Sequence, residues 1–137
     1  IAGTYTPLLY NTLASPWQLI MIALVWTIAV SGILYTQFRS RLPRWLQSRG
    51  VYTALFVLLG WTAVIRWDEI GHHMSTSQLQ LLFVGGAAYT IGALIYATRW
   101  PRLFAGIFGF HEVWHVCVLA GAAFHYLMIL DFYVVRA

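Results

Sequence analysis

The sequence predicts an all-α bundle of membrane-spanning helices. Three observations carry this. Hydrophobic residues make up 61% of the 137 residues and charged residues only 9%, whereas an average soluble domain has about 25% charged residues. The apolar residues gather in runs close to the length a helix needs to cross a bilayer, about 20 residues. The few charges sit mostly between those runs. The same composition excludes an ordinary soluble globule. It also excludes a disordered chain, which needs few apolar residues and many charges.

The opening segment runs Ile1-Ala-Gly-Thr-Tyr-Thr-Pro-Leu-Leu-Tyr10. It lacks the basic n-region of a signal peptide and is too short to span. It is expected to be the last part, about residues 1–10, of a membrane helix that begins upstream, bent at Pro7. The alternative is an ordered extracellular arm. After the uncharged loop Asn11–Pro16, the first full span is Trp17–Phe38, with Trp17 and Tyr35 near its ends, as interfacial belts prefer.

Arg39–Gly50 is a basic loop with Arg39, Arg41, Arg44 and Arg49, broken by Pro43. The next apolar stretch, Val51–Ile65, is short and is expected to reach Trp67 or to borrow from the preceding loop. Arg66–Gln78 reads as a polar loop containing Asp68, Glu69, His72 and His73. The third span covers residues 79–97. A short loop, Thr98–Arg102, leads to the fourth span, residues 104–130, and the tail ends at Ala137. These elements read as a single membrane domain without linker, low-complexity segment or repeat.

The formal charge of +4 comes from eight arginines and no lysine against four acids. Spans alternate sides, so Arg39, Arg41, Arg44 and Arg49 share a side with Arg99 and Arg102. Arg66 and Arg136 lie opposite. The positive-inside rule puts the richer side in the cytoplasm and the C-terminus outside. The arginines therefore belong to loops and do not indicate nucleic-acid binding. One cysteine, Cys117, permits no intrachain disulfide and reads as a small packing residue.

Ionisable residues inside spans are costly and are functional candidates by default. The fourth span has the richest set: His111-Glu-Val-Trp-His115, then His125, then Asp131. His111 and His115 are four residues apart, on one helix face and about 6 Å apart in rise. That spacing lets two imidazoles ligate one metal. A zinc site needs three protein ligands and water, or four ligands, and the chain offers no compelling third. His125 lies about 15 Å beyond His115 along the helix. Glu112 points about 100° away. The pair can equally be histidines hydrogen-bonded to neighbouring helices, or members of a proton relay with His125. Bis-histidine haem fits poorly, because one helix cannot ligate both faces of the macrocycle. His125 alone reads as a packing or interfacial residue, and His72-His73 as a solvated face.

The third span contains Gly85-Gly-Ala-Ala-Tyr-Thr-Ile-Gly92. Gly85, Gly86, Ala88 and Gly92 form a small-residue set of the kind that lets helix backbones approach closely. Helix packing is the expected role.

Several stretches resemble one family. They are the opening Ile-Ala-Gly-Thr-Tyr-Thr-Pro, the pair Gly60-Trp61, the run Gly85-Gly-x-x-Tyr-Thr-x-Gly-x-x-x-Tyr96, and the run Phe110-His-Glu-Val-Trp-His-Val-x-Val-Leu-Ala-Gly-Ala-Ala-x-His125. Together they are similar to the hemolysin III proteins, within the progestin and adipoQ receptor superfamily. The resemblance covers nearly the whole chain in order. It implies a seven-helix membrane bundle with an inside N-terminus and an outside C-terminus. The chain would be its C-terminal portion, the end of helix three and helices four to seven.

The resemblance also implies a zinc ion near the cytoplasmic side, held by His111, His115 and a third histidine from a Ser-x-x-x-His motif. An Asp would hold the zinc's water. Neither the motif nor that Asp occurs in this sequence, and both are expected upstream, so the catalytic residues are unknown. Three functions follow. One is a zinc-dependent membrane hydrolase acting on a lipid amide or similar bond. The second is a pore-forming, haemolytic protein. The third is a receptor-like membrane protein with structural zinc. Membrane lipid is the expected partner and a bacterial inner membrane the expected location. The oligomeric state is left open.

Overall fold

A computed structural model describes residues 1–101 and 108–134. Arg102, the 104–107 start of the last expected span and Arg136 lie outside the described residues. The chain is an all-α membrane protein. Its helices are α1 (Ala2–Thr12), α2 (Trp17–Phe38), α3 (Arg49–Trp61), α4 (Trp67–His73), α5 (Thr76–Thr98) and α6 (Phe110–Val134). A 3₁₀ segment, Thr62–Arg66, joins α3 to α4. Among the described residues, four helical stretches are long and apolar enough to cross a membrane: Trp17–Arg41, Arg49–His73, Thr76–Thr98 and Phe110–Val134. Their outward faces carry large apolar side chains such as Leu19, Ile33, Leu58, Phe83, Leu94 and Leu119, each at least 60% exposed. Patches of this extent are not tolerated in water, and they match a hydrocarbon solvent.

The chain divides into two compact units, Ile1–His73 and Met74–Ala137. In the first, α1 supplies Tyr5, Leu8 and Leu9 to a core shared with Met21 and Val25 of α2, Leu59 of α3 and Ile70 of α4. Polar side chains fasten the same elements. The Tyr5 hydroxyl donates to the Gly60 carbonyl, next to the point where α3 gives way to the tighter 3₁₀ turn. Trp26 Nε1 donates to Thr6 Oγ1 at 3.0 Å. Glu69 joins the α1–α2 loop to the end of the second span. One of its oxygens accepts from the Ala14 amide at 3.2 Å, and the other pairs with Arg66 at 2.6 Å. The Arg66 guanidinium in turn lies 4.6 Å from the Trp17 ring centroid.

The structure differs from the sequence expectation at this span. The stretch read as a loop after Ile65 is helical through His73. Its charges pair locally, Arg66 with Glu69 at i,i+3, and Ile70 is fully buried. A polar composition therefore coexists with one packed face. The span also begins earlier, at Arg49, because Ser48 caps it by accepting from the Val51 amide at 3.3 Å.

In the second unit α5 packs along α6. α5 begins three residues before the expected 79, at Thr76. Ser75 accepts from the Gln78 amide, and the Gln78 side chain accepts from the Ser75 amide at 2.9 Å, a complete capping box. The helix ends at Arg99, whose backbone is left-handed with φ 59°. Its amide reaches back to the Ile95 carbonyl at 2.9 Å. α6 continues four residues past the expected Leu130, to Val134. Ser75→Ala removes one half of the capping box. It is expected to cost about 1 kcal/mol, read as a lower midpoint of denaturant-induced unfolding of the full-length protein.

Candidate metal centre

α6 begins at Phe110, so His111 and His115 fall in its first two turns. The Glu112 carboxylate caps this end by accepting from the Gly109 amide at 2.8 Å. Glu112 is thus engaged with the helix terminus. One helical turn separates the two histidines, and their Nε2 atoms lie 3.2 Å apart. The rings are nearly perpendicular, 87°, with centroids 4.7 Å apart. Both imidazoles are exposed.

Aromatic neighbours hold this face. Trp114 lies against both histidines, at 5.3 Å from His111 and 4.5 Å from His115 between ring centroids. Tyr96 of α5 packs on Trp114 at 4.8 Å and on His111 at 6.3 Å. Neither Trp114 nor Tyr96 was singled out by spacing. Tyr96 reaches the site from another helix, and its register against α6 is set by tertiary packing.

The Nε2 separation can be tested against zinc. With Zn–N bonds of about 2.05 Å and a tetrahedral angle, two nitrogen ligands stand about 3.3 Å apart. The observed 3.2 Å fits that spacing. It also fits an N–H···N hydrogen bond between the rings, whose direction depends on the tautomers. Among the described residues no group of three His, Cys, Asp or Glu side chains could hold a metal. The two histidines therefore supply part of a ligand set.

The small residues of α5 divide into two groups. A Cβ on Gly85 would come within 2.3 Å of His125 Cδ2 and 3.2 Å of the Gly121 carbonyl oxygen. A Cβ on Gly92 would stand 2.8 Å from Cys117 Cβ. These two glycines face α6. Gly86 has open space around it, and Ala88 is half-buried. The partner glycine on α6 is Gly121, where a Cβ would meet the Tyr89 ring at 2.7 Å and the Gly85 carbonyl oxygen at 3.0 Å. Gly121 was missed because the small-residue pattern was read on α5 alone. The crossing is reciprocal, glycine on glycine.

His125 sits beside that crossing. It is 3% exposed, its Nε2 lies 3.3 Å from the Leu82 carbonyl oxygen, and its ring is 5.4 Å from that of Tyr89. It is a satisfied buried histidine, brought near Gly85 rather than near His111 and His115. His72 and His73 are exposed on α4, with His73 Nδ1 2.8 Å from the Glu69 carbonyl oxygen. Cys117 is a half-buried free thiol.

Comparison with known proteins follows the same lines. The family model described as "Haemolysin-III related" matches residues 1–126. Hemolysin-3 of Bacillus cereus is 32% identical over 134 residues, covering 98% of this chain and 56% of that protein. Hemolysin-3 homolog of Bacillus subtilis (strain 168) is 31% identical over 136 residues, covering 99% of this chain and 58% of the relative. Heptahelical transmembrane protein ADIPOR2 of Oryza sativa subsp. japonica is 33% identical over 91 residues, 59% of this chain and 40% of that protein. The chain thus spans little more than half the length of the two bacterial relatives. No solved structure matches.

Proposed function

We propose, because this chain belongs to the haemolysin-III family within the progestin and adipoQ receptor superfamily, that His111 and His115 hold a zinc ion in a membrane hydrolase. The substrate class is a lipid amide or a similar bond. The observation that carries the reading is the 3.2 Å separation of two Nε2 atoms on one exposed helix face, a spacing suited to adjacent zinc ligands. A complete site of the kind the family resemblance implies needs a third histidine and an Asp that holds water, and α6 supplies two of its ligands. When bound, zinc supplies Lewis acidity, polarising a carbonyl and making water acidic near neutral pH.

This chain's own residues do the positioning. The Glu112–Gly109 cap fixes the start of α6. Trp114 and Tyr96 restrict the rotamers of the two imidazoles from one side. The apolar outer faces of α5 and α6 support a site reached from the bilayer, where an acyl substrate would be dissolved. The arginine-rich side, including Arg39, Arg41, Arg44, Arg49 and Arg99, is assigned to the cytoplasm. A bacterial inner membrane with the C-terminus outside is the location this supports.

The test is hydrolysis of a fluorogenic N-acyl lipid by the full-length protein in detergent. Activity is expected to disappear on treatment with a strong zinc chelator and to return on adding zinc. Activity that persists through complete removal of metal contradicts the proposal. A second reading, membrane permeabilisation, is favoured by the relative named Hemolysin-3. Dye release from vesicles that survives His111→Ala would support it, since a pore needs no zinc ligand.

A further inference from the structure

Trp114 is turned in a direction that its place in the chain does not dictate. Consecutive residues on a helix point about 100° apart and do not face each other. Yet the Trp114 ring centroid stands 4.5 Å from that of His115, its chain neighbour. His111, three residues back and a helix neighbour by spacing, is 5.3 Å away. The indole is therefore turned along α6 so that it meets both imidazoles.

The surface that bounds it belongs to α5. The Tyr96 ring lies 4.8 Å from the half-buried indole, tilted by 42°. Gly92, one turn earlier on the same face of α5, is buried. A Cβ there would stand 3.4 Å from Trp114 Cδ1 and 2.8 Å from Cys117 Cβ. The first contact is tight, and the second requires movement. Cys117 Cβ is fixed to the α6 backbone and cannot turn aside. The absence of a side chain at Gly92 is what lets α5 come close enough to bound the indole with its backbone and with the Tyr96 ring. Trp114 thus has α5 against it at two points and the two imidazoles at two more. These residues all belong to the unit Met74–Ala137.

We propose that Trp114 is a positioning residue for the metal centre, and that α5 sets its place through Gly92 and Tyr96. This rests on the reading of His111 and His115 as zinc ligands. The indole holds the two rings in their nearly perpendicular arrangement, 87°, with Nε2 atoms 3.2 Å apart. The pair then meets a metal without first losing rotamer freedom, a cost of binding that preorganisation removes. Groups that orient ligating histidines are worth about 10–100-fold in metal affinity. The packing of α5 against α6 thereby tunes zinc affinity without Gly92 or Tyr96 acting as a ligand.

The test is a zinc titration of the full-length protein against a chelator of known affinity, read as both a dissociation constant and a number of sites. Trp114→Ala is expected to weaken zinc about tenfold with the number of sites unchanged. Trp114→Phe keeps a ring against the pair and is expected to recover most of that loss. Gly92→Ala and Tyr96→Leu are expected to weaken zinc in the same direction. Gly86→Ala, whose added methyl meets nothing within 4 Å, is expected to leave it unchanged. A purely structural role would lower the number of sites and leave the dissociation constant of the remainder as it was, and that result overturns the proposal. So does Trp114→Phe as weak as Trp114→Ala. Should Trp114→Ala fail to fold, an unchanged dissociation constant in Gly92→Ala and Tyr96→Leu overturns it. Failure of the zinc reading itself looks different: the wild type takes up no zinc, or the variant His111→Ala/His115→Ala binds it as tightly, and the positioning role falls with it.

Discussion

Full-length protein carrying His111→Ala or His115→Ala is expected to bind zinc at least about 100-fold more weakly than the wild type. Loss of a partner that merely orients a zinc ligand already costs 10–100-fold, and here the ligand itself is removed. The proposed lipid-amide hydrolysis is expected to fall with the zinc. The effect on folding is the second quantity to read and is expected to be the smaller of the two. Competition with a chelator of known affinity reads the first effect and denaturant-induced unfolding the second. The combination separates the two roles open to the pair. Partners in an N–H···N hydrogen bond would leave zinc affinity untouched when cut.

Gly121→Ala is expected to destabilise the helix pair strongly, and Gly86→Ala is its control. The added methyl at 121 meets the Tyr89 ring at 2.7 Å and the Gly85 carbonyl oxygen at 3.0 Å. A ring can turn aside, but a backbone carbonyl in a helix cannot, so α5 and α6 must separate. At Gly86 the same methyl meets nothing within 4 Å. Both substitutions gain the same helix propensity, about 1 kcal/mol, which cancels in the difference. What remains is the cost of overpacking, about 1–3 kcal/mol, with Gly121→Ala the less stable. Equal unfolding midpoints for the two variants would show that the glycine crossing does not set the helix separation.

The spans were legible in the sequence because a bilayer demands one thing of a helix, an uninterrupted apolar run. Trp17–Phe38 needs nothing beyond composition. The second span was harder to bound. Its second half carries Arg66, Asp68, Glu69, His72 and His73, and composition reads that as a loop. It is helical because Arg66 and Glu69 neutralise each other one turn apart and Ile70 is buried against its neighbours. The true start of α5 was available in Ser75-x-x-Gln78, a capping-box signature that apolar counting overlooks.

The candidate site shows the same division. The spacing of His111 and His115 places two imidazoles on one face without any knowledge of the fold. The roles of Tyr96 and Gly121 became visible only with the register of α5 against α6, which depends on how these two consecutive helices pack. Among the described residues no third His, Cys, Asp or Glu joins the pair, and spacing alone points to none.

Metal content of the purified full-length protein, wild type beside the double variant His111→Ala/His115→Ala, tests the central claim most directly. The wild type is expected to carry about one zinc per chain, as a site of this class holds, and the double variant to carry none. A wild type purified without zinc, and unable to take it up, would contradict the claim and leave His111 and His115 as a hydrogen-bonded pair beside Trp114.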